Sequence, residues 1–151
     1  MKFIADVMLG RLARWLRLLG YDTLYSNRYS DEDIVNIAAI ENRIILTRDT
    51  RLVQRRRAHR YLLITSDHYE EQLAQVVREL NLDVQSYVYT RCAACNGELT
   101  LVPKESVRDE VPPYVYATQE RFARCRECGR IYWRGTHAER MWQKLREMLR
   151  A

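Results

Sequence analysis

Four aspartates in the first half of the chain occupy positions from which carboxylates can act together. Asp6, Asp49 and Asp67 each come closely after a short apolar run, and Asp31 opens a helical pattern. In open parallel sheets, ligands bind outside the carboxyl ends of the strands, so residues that follow strands meet in one crevice. Carboxylates gathered there repel each other unless cations lie between them. The spacing therefore predicts a site for divalent cations.

The chemistry that such a site supports is metal-dependent phosphodiester hydrolysis. Mg²⁺ and Mn²⁺ are hard ions that take carboxylate and water oxygens. A pair of them generates a hydroxide nucleophile and stabilises the attacking and leaving oxygens. Each acid also has a structural interpretation, because Asp31 and Asp67 suit helix N-termini while Asp6 and Asp49 suit solvated loops. Their joint placement at one sheet edge favours the metal hypothesis.

The second half of the chain contains two Cys-x-x-Cys pairs, each with a glycine shortly after it. The cysteines are Cys92, Cys95, Cys125 and Cys128. In a reducing compartment this pattern indicates one tetrahedral zinc ion bound by thiolates, and four sulfur ligands leave no position for water, so the zinc is expected to be structural. The 29 residues between the pairs suit a ribbon with a long β-hairpin, whose turns are marked by Pro103, Pro112 and Pro113.

The elements that must position these residues alternate between strand and helix. Short apolar runs predict strands at 2–5, 23–25, 44–47 and 61–65. Helical patterns are present at 8–19, 31–41, 50–57 and from Ser66-Asp67 to residue 80. Ser30 and Asp33 have capping-box spacing, and Gly20 is expected to end the first helix. The order predicts an α/β fold with a doubly wound parallel sheet and helices on both faces.

The change in character near residue 90 predicts two units. Residues 1–90 form the α/β unit, and residues 91–151 form the zinc ribbon with a C-terminal helix. Thr136 and Glu139 have capping-box spacing for that helix, which is expected to bury Met141, Leu145 and either Met148 or Leu149 against the first unit.

Composition points towards an acidic partner. Arginine supplies most of the 25 basic residues, and the net charge is +5. Residues 91–151 carry 12 basic and 8 acidic residues, so their net charge is +4. Guanidinium groups engage phosphate in a bidentate manner, which suits nucleic acid, although a GC-rich genome produces the same bias. Arg48, Arg51 and Arg14 are the candidates for contact with substrate phosphate. Arg11, Arg14 and Arg17 form a basic stripe that is equally consistent with a solvated helix face.

The sequence also argues against a secreted or membrane-spanning protein. We expect neither a signal peptide nor a membrane span, because early arginines interrupt the only apolar candidate, and this makes the cytoplasm the expected location. The sequence leaves the oligomeric state open.

Several stretches together resemble the mut-seven C-terminal RNase domain family of PIN-like ribonucleases. They are residues 3–6, 8–17, 20–22, 31–38, 45–49 and 131–137, with both cysteine pairs. The resemblance implies a PIN-like α/β fold with clustered acids that bind divalent metal, followed by a zinc ribbon. Asp6, Asp31 and Asp49 correspond to the acidic positions. Many PIN-type domains have a further Asp where Thr50, Arg51 and Leu52 stand, and Asp67 is the candidate substitute.

His137 also matches a position of that family, where it either orients substrate or hydrogen-bonds the Gly135 turn. The expected function is a metal-dependent ribonuclease that hydrolyses RNA, with Mg²⁺ or Mn²⁺ at the acids and Zn²⁺ in the ribbon. The alternative is a catalytically inactive RNA- or ribosome-associated binding module. A phosphorelay receiver with Asp49 as phosphoacceptor is disfavoured, since the first strand ends in a single Asp and the last strand lacks the expected Lys.

Overall fold

The computed structural model describes residues 1–150, apart from the side chains of Thr136 and His137. Its first unit alternates strand and helix. The elements are β1 (Lys2–Ala5), α1 (Gly10–Leu18), β2 (Asp22–Leu24), α2 (Asp31–Glu41), β3 (Ile44–Thr47), α3 (Thr50–Val53), β4 (Tyr61–Leu63) and α4 (Tyr69–Leu80). The four strands form one parallel sheet in the order β2-β1-β3-β4. The predicted α/β class and parallel sheet are confirmed.

The sheet order creates a switch point between β1 and β3. The chain leaves β1 for β2 on one side and returns to β3 on the other, so the connections that follow these two central strands diverge. Their register pairs Phe3 with Ile44 and Ala5 with Leu46. In parallel α/β sheets, a switch point is where the crevice for a ligand opens.

Two apolar layers cover the sheet because side chains alternate along each strand. Phe3, Ala5 and Leu46 belong to the larger core, which also contains Leu16 of α1 and Leu73 of α4. The smaller core, on the other face, holds Ile4 and Ile45 against α2 and α3. All four residues of β3 are buried, as its uninterrupted apolar sequence predicts.

Two details at the helix termini are confirmed. Ser30 accepts a hydrogen bond from the Asp33 amide while Asp33 accepts one from the Ser30 amide, which is the predicted capping box. Gly20 follows α1 with φ +99°, and a Cβ there would lie 2.2 Å from the Tyr87 carbonyl oxygen. Only glycine fits this turn without displacing the backbone.

Three helices differ from the prediction in their boundaries. The first, expected over residues 8–19, spans Gly10–Leu18. The helix expected over residues 50–57 ends at Val53, because Leu52 is its one fully buried side chain and the arginines after it have no apolar face to bury. The helix expected to begin at Ser66-Asp67 begins at Tyr69. Ser66 Oγ accepts a hydrogen bond from the His68 amide at 3.0 Å, so it stabilises the turn before the helix instead of capping it.

The ribbon follows as an antiparallel sheet. It contains β5 (Leu99–Val102), α5 (Pro113–Thr118), β6 (Phe122–Cys125) and β7 (Ile131–Tyr132), and the strand order is β5-β6-β7. The connection between β5 and β6 is more than a set of turns, because Pro103 precedes a 3-10 helix at Lys104–Val107 and Pro113 opens α5. Val107 and Val115 of this connection pack on Phe122.

The last helix, α6 (Thr136–Arg150), returns to the first unit. Its residues Met141, Trp142 and Leu145 are buried in the same core as α1 and α4, as predicted for Met141 and Leu145. Arg78 of α4 donates a hydrogen bond of 2.6 Å to the Met148 carbonyl. Within residues 1–150, every helix is too short or too polar to cross a bilayer.

Candidate active site and zinc centre

The carboxyl ends of β1 and β3 are joined by one hydroxyl group. The Asp6 amide continues the sheet by donating to the Leu46 carbonyl at 3.0 Å. Thr47, the last residue of β3, donates its hydroxyl to Asp6 Oδ2 at 2.7 Å and accepts from the Asp49 amide at 2.9 Å. Thr47 is fully buried and Asp6 is 8% exposed. The Thr47 hydroxyl therefore links the Asp6 carboxylate to the Asp49 backbone at the switch point.

Each of these carboxylates keeps one oxygen available. Asp49 Oδ1 accepts from the Arg51 amide at 2.8 Å and so caps α3, which gives Asp49 a structural role as well. Among the described residues, no hydrogen bond is recorded for Asp6 Oδ1 or for Asp49 Oδ2. Carboxylate oxygens in this state are suitable ligands for a hard cation.

The other two aspartates lie in different surroundings. Asp31, at the start of α2, has its Oδ2 atom 3.8 Å from Arg55 Nη2. Asp67 is exposed and lines a pocket of about 290 Å³ with Arg11 and Tyr69. Across the described chain, the four cysteines are the only group of three or more candidate ligands whose atoms all lie within 4.8 Å of each other. The structure does not gather three of the aspartates to that distance.

The basic candidates are all exposed. Arg48 comes directly after β3 and Arg51 lies in α3, so both flank Asp49. Arg14 is exposed on α1. The side chain of His137 lies outside the described part of the structure, so its role stays a prediction.

The four cysteines form a cage of the size that zinc requires. The Sγ atoms of Cys92 and Cys128 are 3.7 Å apart, and those of Cys95 and Cys125 are 3.4 Å apart. A tetrahedral ion with Zn–S bonds of about 2.3 Å places its sulfurs about 3.8 Å from each other. The observed separations fit this geometry, and the predicted four-cysteine zinc site is supported by the donor set.

The hydroxyl group of Tyr132 contacts one of these thiols. Its hydroxyl oxygen accepts from the amides of Ala93 and Ala94 at 3.0 and 3.3 Å, which directs its proton towards Cys92 Sγ, 3.0 Å away. Burial raises the pKa of Tyr132 to about 12, so the proton remains in place. Burial of Cys92 alone would raise its pKa, yet the Tyr132 hydroxyl and nearby amides lower it to about 6.

Cys95 shows the opposite shift. Burial and the neighbouring thiols raise the pKa of Cys95 to about 12. Four sulfur ligands gathered within 4.8 Å of one another would repel each other as thiolates unless a cation lay among them. The cluster therefore fits a bound Zn²⁺, which deprotonates its thiol ligands.

A buried arginine connects this cluster to the sheet. Arg17 is 7% exposed, which corrects the expectation of a solvated stripe at that position. It donates from Nε to the Thr23 carbonyl at 2.8 Å and from Nη1 to the Ala93 and Ala94 carbonyls at 3.0 and 3.3 Å. Burial lowers the pKa of Arg17, and the negative charge of Cys92 counters this effect.

Asn96 completes the contact from the ribbon side. Residues 92–97, the first knuckle, lie against β2, the edge strand of the sheet. Asn96 adopts a left-handed conformation with φ 71°, accepts from the Thr23 amide at 3.0 Å and donates to Asp22 Oδ1 at 2.8 Å. An edge strand exposes unpaired amides, so the knuckle satisfies one that would otherwise face solvent.

Sequence reasoning missed four residues of these sites. Thr47 belongs to the stretch 45–49 that carries the family resemblance, but the sequence does not show that its hydroxyl links Asp6 to Asp49. Arg17, Asn96 and Tyr132 act through residues distant in the chain, and the sequence contains no local pattern for such contacts. The only sign in the sequence that Arg17 is buried is its position between Leu16 and Leu18.

The fold and these two sites define a class of protein, an α/β domain with two aspartates at its switch point and a four-cysteine ribbon docked on its edge strand. A family model described as Mut7-C RNAse domain matches residues 1–145, and the chain belongs to this family. The family predicted from the sequence is thereby confirmed, and its description indicates a nuclease-like function. No curated protein and no solved structure matches the chain at a significant level.

Proposed function

We propose that this protein is a divalent-metal-dependent ribonuclease that hydrolyses phosphodiester bonds of RNA. The observation that carries the proposal is the Asp6–Thr47–Asp49 arrangement at the switch point. Membership of a family described as an RNAse domain supports it. In this proposal residues 1–90 carry the nuclease site, residues 91–151 carry the ribbon and the last helix, and the protein acts in the cytoplasm.

Two available carboxylate oxygens fit the coordination chemistry of Mg²⁺ or Mn²⁺. Mg²⁺ in phosphoryl-transfer sites is usually held by one or two carboxylates, with water and substrate phosphate completing its shell. Asp6 and Asp49 supply such a pair, and the Thr47 hydroxyl fixes the orientation of Asp6. When bound, the ion activates water and neutralises charge on the phosphate. We propose Asp31 as a third ligand of the ion, which requires that Asp31 be released from Arg55. We propose Asp67 as a fourth ligand.

The arginines complete the proposed site. Arg48 and Arg51 flank Asp49 with exposed side chains, and a guanidinium group in that position holds a phosphate of the substrate without reading its sequence. Arg14 extends the basic surface along α1. These residues bind and orient RNA, while Asp6 and Asp49 would hold the cation that neutralises the reacting phosphate.

The direct test is cleavage of labelled RNA by the zinc-loaded protein with Mn²⁺. Asp6→Asn and Asp49→Asn are each expected to lower the rate at least about 100-fold, since each removes a charge that faces the ion. Asp109→Asn is the matched control, because Asp109 is exposed in the ribbon and has no recorded ion pair in the described chain. Absence of cleavage by the folded parent protein, or equal cleavage by the two variants, would overturn the proposal.

A binding module without hydrolytic activity is the second candidate. The observation that favours it is that three aspartates are not gathered within 4.8 Å and that Asp31 is already paired with Arg55. This function predicts that RNA binds equally well with and without Mn²⁺, and that Asp6→Asn changes neither binding nor the RNA. The cleavage assay above therefore separates the two candidates.

A further inference from the structure

A cleft of about 930 Å³ lies where the ribbon, the segment 85–90 and α6 meet. Neither Asp6 nor Asp49 lines it, so it is distinct from the candidate active site. Its volume is within the range of about 300–1,000 Å³ that is typical of small-molecule sites. The walls combine aromatic rings with arginines, and these two kinds of side chain indicate the class of ligand.

Five aromatic residues line the cleft, and three of them, Trp142, Trp133 and Tyr89, form its floor and walls. Trp142 is buried beneath the guanidinium group of Arg134, whose Cζ atom lies 5.6 Å from the ring centroid. Trp133 and Tyr89 are only half-buried, and both line the cleft. Trp133 is supported from behind by Phe122, with the two ring centroids 6.3 Å apart. The cleft thus has a fixed aromatic floor and two half-buried aromatic walls.

The backbone of Tyr89 is held in an unfavourable conformation. Its φ is 59°, a left-handed value that is uncommon for a bulky side chain. The Tyr89 amide donates to the Leu18 carbonyl at 3.1 Å, which fixes the segment against α1. Strained residues of this kind persist where the surrounding structure determines them, and they are concentrated at binding sites.

The charges of the cleft are unbalanced towards positive. The carboxylate on its lining, Glu120, already pairs with Lys104 Nζ at 3.3 Å, and Arg134 pairs with Glu139. Arg121 and Arg146 also line the cleft, are exposed, and have no ion pair recorded within residues 1–150. Two guanidinium groups are therefore left to engage an anionic ligand.

We propose that this cleft binds single-stranded RNA, with bases against Tyr89 and Trp133 and with phosphates at Arg121 and Arg146. Aromatic rings stack on any base, and a positive groove follows the phosphate chain, so the pair of features is what unpaired nucleic acid requires. The cleft binds RNA through its own residues and does not depend on hydrolysis at Asp6.

The test measures binding of fluorescein-labelled oligo(U) by anisotropy with the zinc-loaded, full-length Asp6→Asn protein in the absence of Mn²⁺. Arg121→Ala and Arg146→Ala are each expected to weaken binding about fivefold and to lower the slope of log affinity against log salt by about 0.7, the value for one lost contact to a single strand. Arg108→Ala is the control, because Arg108 is an exposed ribbon arginine that does not line the cleft.

Tyr89→Asn separates stacking from folding. Asparagine tolerates positive φ, so the variant keeps the backbone conformation and loses only the ring. Its affinity for oligo(U) is expected to fall about tenfold, in line with the loss of one stacked base. Tyr89→Phe keeps the ring and is expected to bind as the parent does.

Several results would overturn the proposal that the cleft binds RNA. They are absence of binding by the parent at micromolar protein, an equal loss in Arg108→Ala and Arg121→Ala, unchanged binding by Tyr89→Asn, and tighter binding of poly-glutamate than of oligo(U). Failure of the proposed ribonuclease activity is distinguishable. If RNA binds but Mn²⁺-dependent cleavage is absent, only the hydrolytic function is overturned. If cleavage is intact but the cleft variants bind RNA as the parent does, only the proposed RNA-binding cleft is overturned.

Discussion

Arg17 on α1 donates a hydrogen bond of 3.0 Å from Nη1 to the carbonyl oxygen of Ala93 in the first knuckle. The guanidinium group is buried, and no carboxylate is recorded as its partner in the described chain. Four thiolates with one Zn²⁺ carry a net charge of about −2. With zinc bound, the cluster would be the counter-charge of Arg17, and we expect zinc binding and the docking of the ribbon to be coupled through this one side chain.

Replacement of Arg17 is expected to destabilise the protein and to weaken zinc binding together. Arg17→Met leaves the carbonyls of Thr23, Ala93 and Ala94 without their donor, and we expect a loss of about 3 kcal/mol in the free energy of unfolding. Urea unfolding and zinc competition with a chelator measure the two effects. Arg14→Met, on the exposed face of the same helix, should change neither quantity. A variant that loses stability but keeps parental zinc affinity would contradict the coupling.

Tyr132→Phe is expected to retain zinc and to hold it less tightly. The substitution removes the hydroxyl that contacts Cys92 Sγ and leaves the amides of Ala93 and Ala94 without an acceptor. Loss of a group that orients a metal ligand typically costs about 10- to 100-fold in metal affinity. Zinc transfer to a colorimetric chelator measures the change, and Tyr114→Phe, at a tyrosine that is 72% exposed, is the control. Equal transfer rates for both variants would rule out the role of the hydroxyl.

Thr47→Val is expected to keep the fold and to lose most of the ribonuclease activity. Valine preserves the shape of a fully buried strand residue but removes the hydrogen bonds to Asp6 and Asp49, at a cost of about 2 kcal/mol. Because Asp6 is then free to turn, we expect cleavage of RNA to require a higher Mn²⁺ concentration and to be about tenfold slower at saturation. Thr47→Ser retains the hydroxyl and should restore the Mn²⁺ dependence. If Val and Ser variants behave alike, the hydroxyl does not position Asp6.

The ion pair of Asp22 with Arg43 predicts a loss of stability in acid. Burial alone would raise the pKa of Asp22, but hydrogen bonds from Arg43 at 2.7 Å and from Asn96 at 2.8 Å lower it. A carboxyl whose pKa is lower in the folded protein stabilises the fold above its unfolded pKa of about 3.9, and the contribution disappears as the pH falls through the folded value.

The measurement is the difference in unfolding free energy between the parent and Asp22→Asn from pH 7 to pH 3. We expect a constant difference of about 1 kcal/mol above pH 5 that shrinks below about pH 4. Acid release of zinc affects both proteins and cancels in the difference. A difference that grows as the pH falls would contradict the assignment. Glu41→Gln is the control, because Glu41 pairs with the same arginine but is 42% exposed.

Local patterns in the sequence were sufficient for the parallel sheet, the capping box at Ser30 and the zinc ligands. An apolar run of β-branched residues has few stable alternatives to a buried strand, and a pair of Cys-x-x-Cys motifs fixes its own chemistry. The overestimated helix after Thr50 shows the limit of such patterns. Good helix formers such as arginine extend a helical pattern, but a short helix needs a buried face, and only Leu52 supplied one.

The sequence by itself determined which side chains are candidates for chemistry, namely the aspartates after strands and the four cysteines, because strand ends and ligand spacing are properties of neighbouring residues. Only the tertiary structure decided which of them meet. It joined Asp6 to Asp49 through Thr47, paired Asp31 with Arg55, and buried Arg17 under the first knuckle. Contacts between residues far apart in the chain depend on how helices and sheets pack, and no local pattern encodes that packing.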